Sequence, residues 1–241
     1  MNLFFLMEDS KSFVKVLPKW INFIIPNYTR VDDIKYFQKN QRCYVIESGY
    51  GYPQIIDYLS ASLLRISTDN CPVDYIFVCW DTDGKNDEVI LKEKFEYEKI
   101  FQDINPKYNY KLFAMNHCFE TWLLGNRAAF PKRNHITEQF NAFAEFYNVS
   151  KDDPECMNAP SNYNSSSKYH TRYLKEMLRN TYHRNYSKSK PMFVSTEAYF
   201  NELISRIEET DDLRSFYEFI QFLRSINLNF SFFYIGESLY E

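Results

Sequence analysis

The sequence predicts an α/β protein: a four-stranded parallel sheet flanked by helices, followed by a mainly helical C-terminal extension. Three observations carry this prediction. Short, continuous apolar runs alternate with amphipathic stretches over residues 3–124. The connections between the runs are long enough for the helical crossovers that parallel strands require. Beyond residue 128, apolar residues recur mostly at helical spacing.

The first strand is Leu3–Met7, a buried run ended by the polar Glu8, Asp9 and Ser10. Ser10–Ile25 then places Phe13, Val16, Leu17, Trp20 and Phe23 on one helical face, with Ser10 as the expected N-cap and Pro18 as a weak point in the middle. Cys43–Ile46 is the second strand, and Pro53–Ile66 the second helix, with Ile55, Ile56, Leu59, Leu63 and Ile66 on one side. Tyr75–Trp80 is uninterrupted and apolar, as a central parallel strand should be. Asn86–Ile104 is a charged amphipathic helix, Tyr110–Met115 the fourth strand, and Cys118–Leu124 opens the fourth helix. In the second half, Phe130–Tyr147 and Lys168–Tyr186 read as helices. The polar stretch Asp152–Ser167 between them reads as a surface loop or disordered segment. Thr196–Leu223 reads as a helix pair broken near Thr210, Asp211 and Asp212, and Phe230–Tyr234 as a last strand or a packed tail. The expected division is an α/β domain over 1–128 and a mainly helical extension over 129–241. No internal repeat is visible.

Composition excludes several functions. Five glycines in 241 residues leave no Gly-rich phosphate loop. Gly49 and Gly51 lack the third glycine of a dinucleotide fingerprint, and Gly84-Lys85 is followed by Asn86 rather than the Ser or Thr of a Walker loop. The net charge of −4 excludes a uniformly basic nucleic-acid binder, though not a local basic patch. Five scattered cysteines (43, 71, 79, 118 and 156) without a C-x-x-C pair point to a reducing compartment, hence the cytoplasm. The apolar start is too short for a signal peptide, and no run approaches the roughly 20 residues of a membrane span.

Function in a parallel α/β sheet collects beyond the carboxyl ends of the strands. Glu8, Asp81, Asp83 and Glu120 all fall there. Neighbouring strand ends lie about 5 Å apart, so four carboxylates converging on one edge would repel one another unless a cation lay between them. Hard oxygen ligands select Mg²⁺ or Mn²⁺. Such residues also serve as helix caps, stabilised by the helix dipole. The Asp-x-Asp after an apolar strand, paired with an acid after the first strand, favours metal; Glu47 carries no signal beyond a cap.

These residues carry a resemblance. LFFLME at 3–8 followed by a helix, and then IFVCWDTDG at 76–84, resemble the Toprim domain of topoisomerases, bacterial primases and nucleases. NHCFETWLL at 116–124 resembles the Phe-Glu-x-Trp-Leu-Leu element of RloB-like proteins and related small Toprim proteins of the overcoming-lysogenisation-defect group. The chain departs from the pattern at Asp9, where the family usually has glycine. The resemblance spans about residues 3–125 and implies a Rossmann-like fold with metal-dependent phosphodiester chemistry. On that footing Glu8, Asp81 and Asp83 are the metal ligands, with Glu8 also an alternative general base. Glu120 is a further ligand or orienting group, and Lys11, one turn into the first helix, faces developing phosphate charge. The resemblance also implies a toxic effector of anti-phage defence under the control of a partner ATPase or of homo-oligomerisation.

Residues 168–190 hold seven Lys or Arg (168, 172, 175, 179, 184, 188 and 190) against one acid, Glu176, a net charge of +6 that leaves −10 for the rest of the chain. Lys168, Arg172, Lys175, Arg179, Arg184 and Lys188 are therefore the expected nucleic-acid-binding residues. Tyr169, Tyr173, Tyr182 and Tyr186 among them are expected either to stack on bases or to pack inward, both being compatible with i,i+4 spacing. His117, His135, His170 and His183 form no metal-ligand spacing, and His117 and Cys118 are expected to line the site beside Glu120. The leading expectation is a metal-dependent nuclease acting on RNA, tRNA included, or DNA. The alternatives are a non-catalytic binding module of the same fold and an enzyme handling nucleotide phosphates.

Overall fold

The computed structural model describes residues 1–132 and 136–237, with side chains as far as Ile226. His135, with residues 133–134 near the start of the stretch expected as a helix from Phe130, lies outside them. Five parallel strands form one sheet: β1 (Leu3–Met7), β2 (Thr29–Arg30), β3 (Cys43–Ser48), β4 (Tyr75–Asp81) and β5 (Tyr110–Met115), in the spatial order β2-β3-β1-β4-β5. Four are the strands expected from sequence. The fifth, β2, corrects the count: it is a two-residue edge strand, both residues exposed, too short to leave an apolar pattern. Helices α1 (Phe13–Ile24), α2 (Gln54–Thr68), α3 (Asp87–Ile104) and α4 (Phe119–Leu124) follow β1, β3, β4 and β5 respectively.

Strand alternation divides the core into two layers. Leu3, Phe5 and Met7 of β1 and Phe77 and Cys79 of β4 face the layer containing α1 and α4. Phe4 and Leu6, with Ile76, Val78 and Trp80, face the layer of α2 and α3. Both faces of the sheet are thus covered, which is why the central strands read as unbroken apolar runs. Burying each such side chain contributes roughly 1.5–3 kcal/mol.

The start of α1 differs from expectation. Ser10 does not cap it; Asp9 Oδ2 accepts from the backbone N–H of Ser12 (2.7 Å) and of Phe13. Asp9 therefore anchors the helix through two of its free N–H groups, where its negative charge also meets the positive end of the helix dipole. The helix runs on through Pro18 to Ile24.

The extension comprises α5 (Glu138–Phe146), α6 (Ser166–Tyr182), α7 (Glu197–Glu209) and α8 (Arg214–Glu237). Helix α5 begins later than the apolar pattern suggested, capped by Thr137, whose hydroxyl accepts from the Phe140 N–H. Helix α6 stops at Tyr182 because His183 adopts a left-handed conformation (φ 54°). Residues Phe230–Tyr234, expected as a strand or tail, continue α8. The Asp152–Ser167 stretch is ordered rather than loose: it forms a 3-10 turn at Pro154–Cys156 and buries Glu155 and Met157.

The core is shared across residue 128. Phe13 and Trp20 of α1 pack against Phe216 and Phe219 of α8, and Trp122 of α4 contacts both α8 rings. Fully buried Arg206 ties loops of the two halves together, donating to the carbonyls of Gly125, Val149 and Asp152 and pairing with Asp212 at 2.7 Å. Among the described residues no helix is long and apolar enough to cross a membrane.

Candidate active site

The carboxyl edge of the sheet is level at its centre. Glu8, one residue past β1, donates its N–H to the Cys79 carbonyl of β4 (2.8 Å). Its side chain then turns across that edge: Oε2 accepts from the Asp81 N–H (3.0 Å) and Oε1 from the Tyr52 N–H (3.2 Å). Asp81 is the last residue of β4, and both acids are half-buried. Burial raises the pKa of Glu8 above the ordinary carboxylate range, outweighing the N–H bonds from Asp81 and Tyr52 and the charge of Lys85. Burial, followed by the charges of Glu8, Glu120 and Asp9, pushes Asp81 well above that range, and Lys188 opposes it. These are the electrostatics of a carboxylate group short of positive charge.

Glu120 arrives from the first turn of α4 and is fully buried. Oε1 accepts from the Tyr186 hydroxyl (2.7 Å) and the Ser12 hydroxyl (3.4 Å), and Oε2 pairs with Lys188 Nζ at 3.0 Å. Burial alone would lower the pKa of Lys188; Glu120, with Cys118 and Asp81, more than reverses this and raises it. Its neighbours in the Phe-Glu-x-Trp element tie α4 into the surrounding core. Phe119 stacks on Phe13 (4.7 Å between ring centres), Thr121 Oγ1 lies 2.7 Å from His170 Nδ1, and Trp122 donates to Ser215 of α8 (2.7 Å).

Asp83 is placed elsewhere. It has a positive φ of 49°, and its Oδ1 accepts from the Ser165 hydroxyl (3.1 Å) and the Ser167 N–H (2.9 Å), so it holds the start of α6 against the sheet edge. Lys11 precedes α1 instead of lying one turn inside it, and it is exposed. Glu47 is bound to Arg65 and to the Ser62 hydroxyl. His117 is a wall residue, its N–H donating to Thr82 Oγ1 and its Nε2 lying 3.2 Å from the Glu155 carbonyl. Burial raises the Cys118 thiol far above its usual range, so it is no thiolate nucleophile.

The basic arm divides. Tyr169, Tyr173 and Tyr186 are buried; Tyr173 stacks on Phe143 (5.0 Å), so packing inward is the outcome for these rings. Arg179 pairs with Glu176 at 2.8 Å, and Arg184 lies exposed beyond the end of α6. The other four cations converge. Lys168, Arg172, Lys175 and Lys188 line one open pocket of about 480 Å³, together with Asn162, Tyr163, Asn164, Ser167 and Thr171. Lys188 lies at both sites, facing Glu120 on one side and the pocket on the other.

Sequence reasoning gave Asp9, Ser12, Tyr52, Lys85 and Tyr186 no part in holding the strand-end carboxylates. Lys85 follows the Asp-x-Asp turn directly, pairs with buried Glu93, and sits 5.0 Å above the Tyr52 ring; its position in the turn was a usable signal. Tyr186 lies 66 residues from Glu120, and nothing local announces that contact.

Among the described residues no group of three or more His, Cys, Asp or Glu is disposed to hold a metal ion. The Glu8–Asp81 pair nevertheless has the donor chemistry of a hard-cation site: two carboxylates from adjacent strand ends, both raised chiefly by burial, with the Glu8 charge adding to the rise at Asp81. Mg²⁺ is commonly held by one or two carboxylates, with water and substrate phosphates completing its shell. Compared with protein families, curated proteins and solved structures, the chain matches none.

Proposed function

We propose that the protein is a divalent-metal-dependent nuclease of the Toprim type, cutting phosphodiester bonds of RNA or DNA. The observation that carries this reading is the Glu8–Asp81 junction: two carboxylates from adjacent strand ends joined by the Asp81 N–H to Glu8 Oε2 bond, with four cations in the neighbouring pocket. Glu8 and Asp81 would hold Mg²⁺ or Mn²⁺, which supplies charge neutralisation at the phosphate and activation of water. Lys188 presents an ammonium to the same phosphate, and Glu120, fixed by Tyr186 and Ser12, sets where that ammonium points. Asp83 acts in this reading as the tie that holds the pocket beside the carboxylates. Control by a partner ATPase or by self-association, in a defence setting, rests on the resemblance of LFFLME, DTDG and FETWLL to small Toprim proteins.

The test is cleavage of end-labelled RNA and DNA oligonucleotides with Mg²⁺ or Mn²⁺. Metal-dependent cutting that Glu8→Gln and Asp81→Asn each abolish, with the variants still folded, is expected. Cutting that survives both substitutions, or that persists in EDTA, overturns the assignment. A second reading, a non-catalytic binding module, is favoured by the engagement of Asp83 with α6; it predicts no divalent affinity and no cleavage.

A further inference from the structure

The pocket beside the carboxylates has a composition that a simple phosphate-tracking surface does not need. A groove that follows a duplex backbone needs cations in a row. Here four cations surround a concavity of about 480 Å³ that also contains Asn162, Asn164, Ser167 and Thr171 and no carboxylate. Asn162 and Asn164 are exposed residues of its lining, so their amides are open to a ligand as donor–acceptor groups. Arg172 lies over the Tyr163 ring at 5.6 Å, and that ring is braced edge-on by buried Tyr169 at 4.8 Å between ring centres. Arg172 Nη1 also donates to the Tyr163 hydroxyl (3.4 Å), so the guanidinium and the ring are held together as one cationic, aromatic wall for a base, with Lys168 and Lys175 available for a phosphate. Amides that read a base edge, an aromatic wall and cations together recognise a whole nucleotide, not a phosphate alone.

We propose that this pocket takes one unpaired nucleotide of the substrate strand, making the substrate single-stranded or locally unpaired nucleic acid in preference to continuous duplex. A base held in a duplex cannot enter a concave pocket without leaving its stack. The pocket is joined to the cleavage edge at two points, through Lys188 on Glu120 and through Ser165 and Ser167 on Asp83. A nucleotide seated there brings a neighbouring phosphodiester to Glu8 and Asp81. This inference rests on the nuclease reading and names the substrate class for that same site.

Binding measured in EDTA tests it independently of cleavage. The probe is a fluorescein-labelled 20-nucleotide strand, alone or annealed to its complement, titrated with the full chain by anisotropy. The single strand is expected to bind at least about tenfold more tightly than the duplex. Asn162→Ala with Asn164→Ala should weaken single-strand binding by about 5- to 100-fold, the range for losing hydrogen-bonded readout of one base edge, while leaving duplex binding and the salt slope unchanged. Arg172→Glu with Lys175→Glu should weaken binding to both forms and flatten the salt slope. Melting curves matching the parent establish that the variants are folded. Equal affinity for strand and duplex, or an asparagine variant indistinguishable from the parent, overturns the proposal. So does displacement of the strand by a free mononucleotide at equal concentration, which would make the pocket a small-molecule site. If the strand preference holds but no metal-dependent cleavage is found, the nuclease reading fails alone; if both forms are cut equally well, this inference fails alone.

Discussion

Lys188 Nζ lies 3.0 Å from Glu120 Oε2, and this pair joins the acidic edge of the sheet to the basic pocket of the extension. Glu120 is completely buried, so its charge depends on Lys188 for compensation, with Tyr186 and Ser12 supplying hydrogen bonds. Lys188→Met should destabilise the fold by about 3 kcal/mol, because it leaves a buried carboxylate without its cation. Adding Glu120→Gln should recover part of that loss, giving a coupling energy of about 1–3 kcal/mol in a denaturant double-mutant cycle. Strictly additive effects would mean that the two residues do not form this pair.

Asp81 predicts an exchange of stability for function. Burial, then the charges of Glu8, Glu120 and Asp9, push its pKa well above the ordinary carboxylate range. The folded state therefore holds the proton more tightly than the unfolded chain. Asp81 favours folding below its unfolded pKa, and this contribution is lost as pH rises through the elevated folded value. In EDTA at pH 7, Asp81→Asn should raise stability by about 1 kcal/mol, or roughly 2–4 °C in Tm for a chain of this size, while abolishing activity. A melting temperature at or below that of the parent would contradict the electrostatic description.

His170 predicts the acid limb. It is fully buried, with Nδ1 2.7 Å from Thr121 Oγ1 and Nε2 2.9 Å from the Met157 carbonyl. Those partners specify a neutral ring that donates from Nε2 and accepts at Nδ1. Burial, then the adjacent His117, lower its pKa to about 3 from 6.5. Its contribution to stability is intact above 6.5 and declines as pH falls toward 3, by up to about 1.4 kcal/mol per pH unit. Denaturant midpoints between pH 7 and 4 should fall accordingly, and His170→Gln should flatten that slope. An unchanged slope in the variant would assign the acid sensitivity to other groups.

Arg206 predicts how far the two halves depend on each other. Its guanidinium donates to the carbonyls of Gly125, Val149 and Asp152 and pairs with Asp212. Arg206→Met leaves these buried acceptors and Asp212 uncompensated and should cost about 3–5 kcal/mol. One cooperative transition, read by near- and far-ultraviolet circular dichroism together, should shift as a whole. Loss of the extension signal alone, with the sheet signal unmoved, would show that the halves unfold separately.

Much of the sheet was legible in the sequence because a doubly covered parallel strand must be a continuous apolar run; Leu3–Met7 and Tyr75–Trp80 are such runs. The two exposed residues of β2 carry no such pattern. The strand-end acids were equally legible, since topology alone brings Glu8 to Asp81. What their side chains do was not: Asp83 turns to cap α6, a decision made by Ser165 and Ser167 far along the chain. Glu120, expected to share the acidic site as a ligand or orienting group, is matched with Lys188 by the path of residues 183–190 after α6, and no periodicity encodes that path. In the basic arm, helical spacing left the tyrosines undecided; the shared core settled Tyr169 and Tyr173, burying them against α5.

The most direct test of the central claim is Mg²⁺- or Mn²⁺-dependent cleavage of a labelled single-stranded oligonucleotide by the full chain, set beside Glu8→Gln and Asp81→Asn. The account predicts discrete products with the parent chain and metal, none in EDTA, and none from either variant although both still bind the strand. Cleavage by both variants, or a parent chain that binds the strand and never cuts it with either metal, would contradict it.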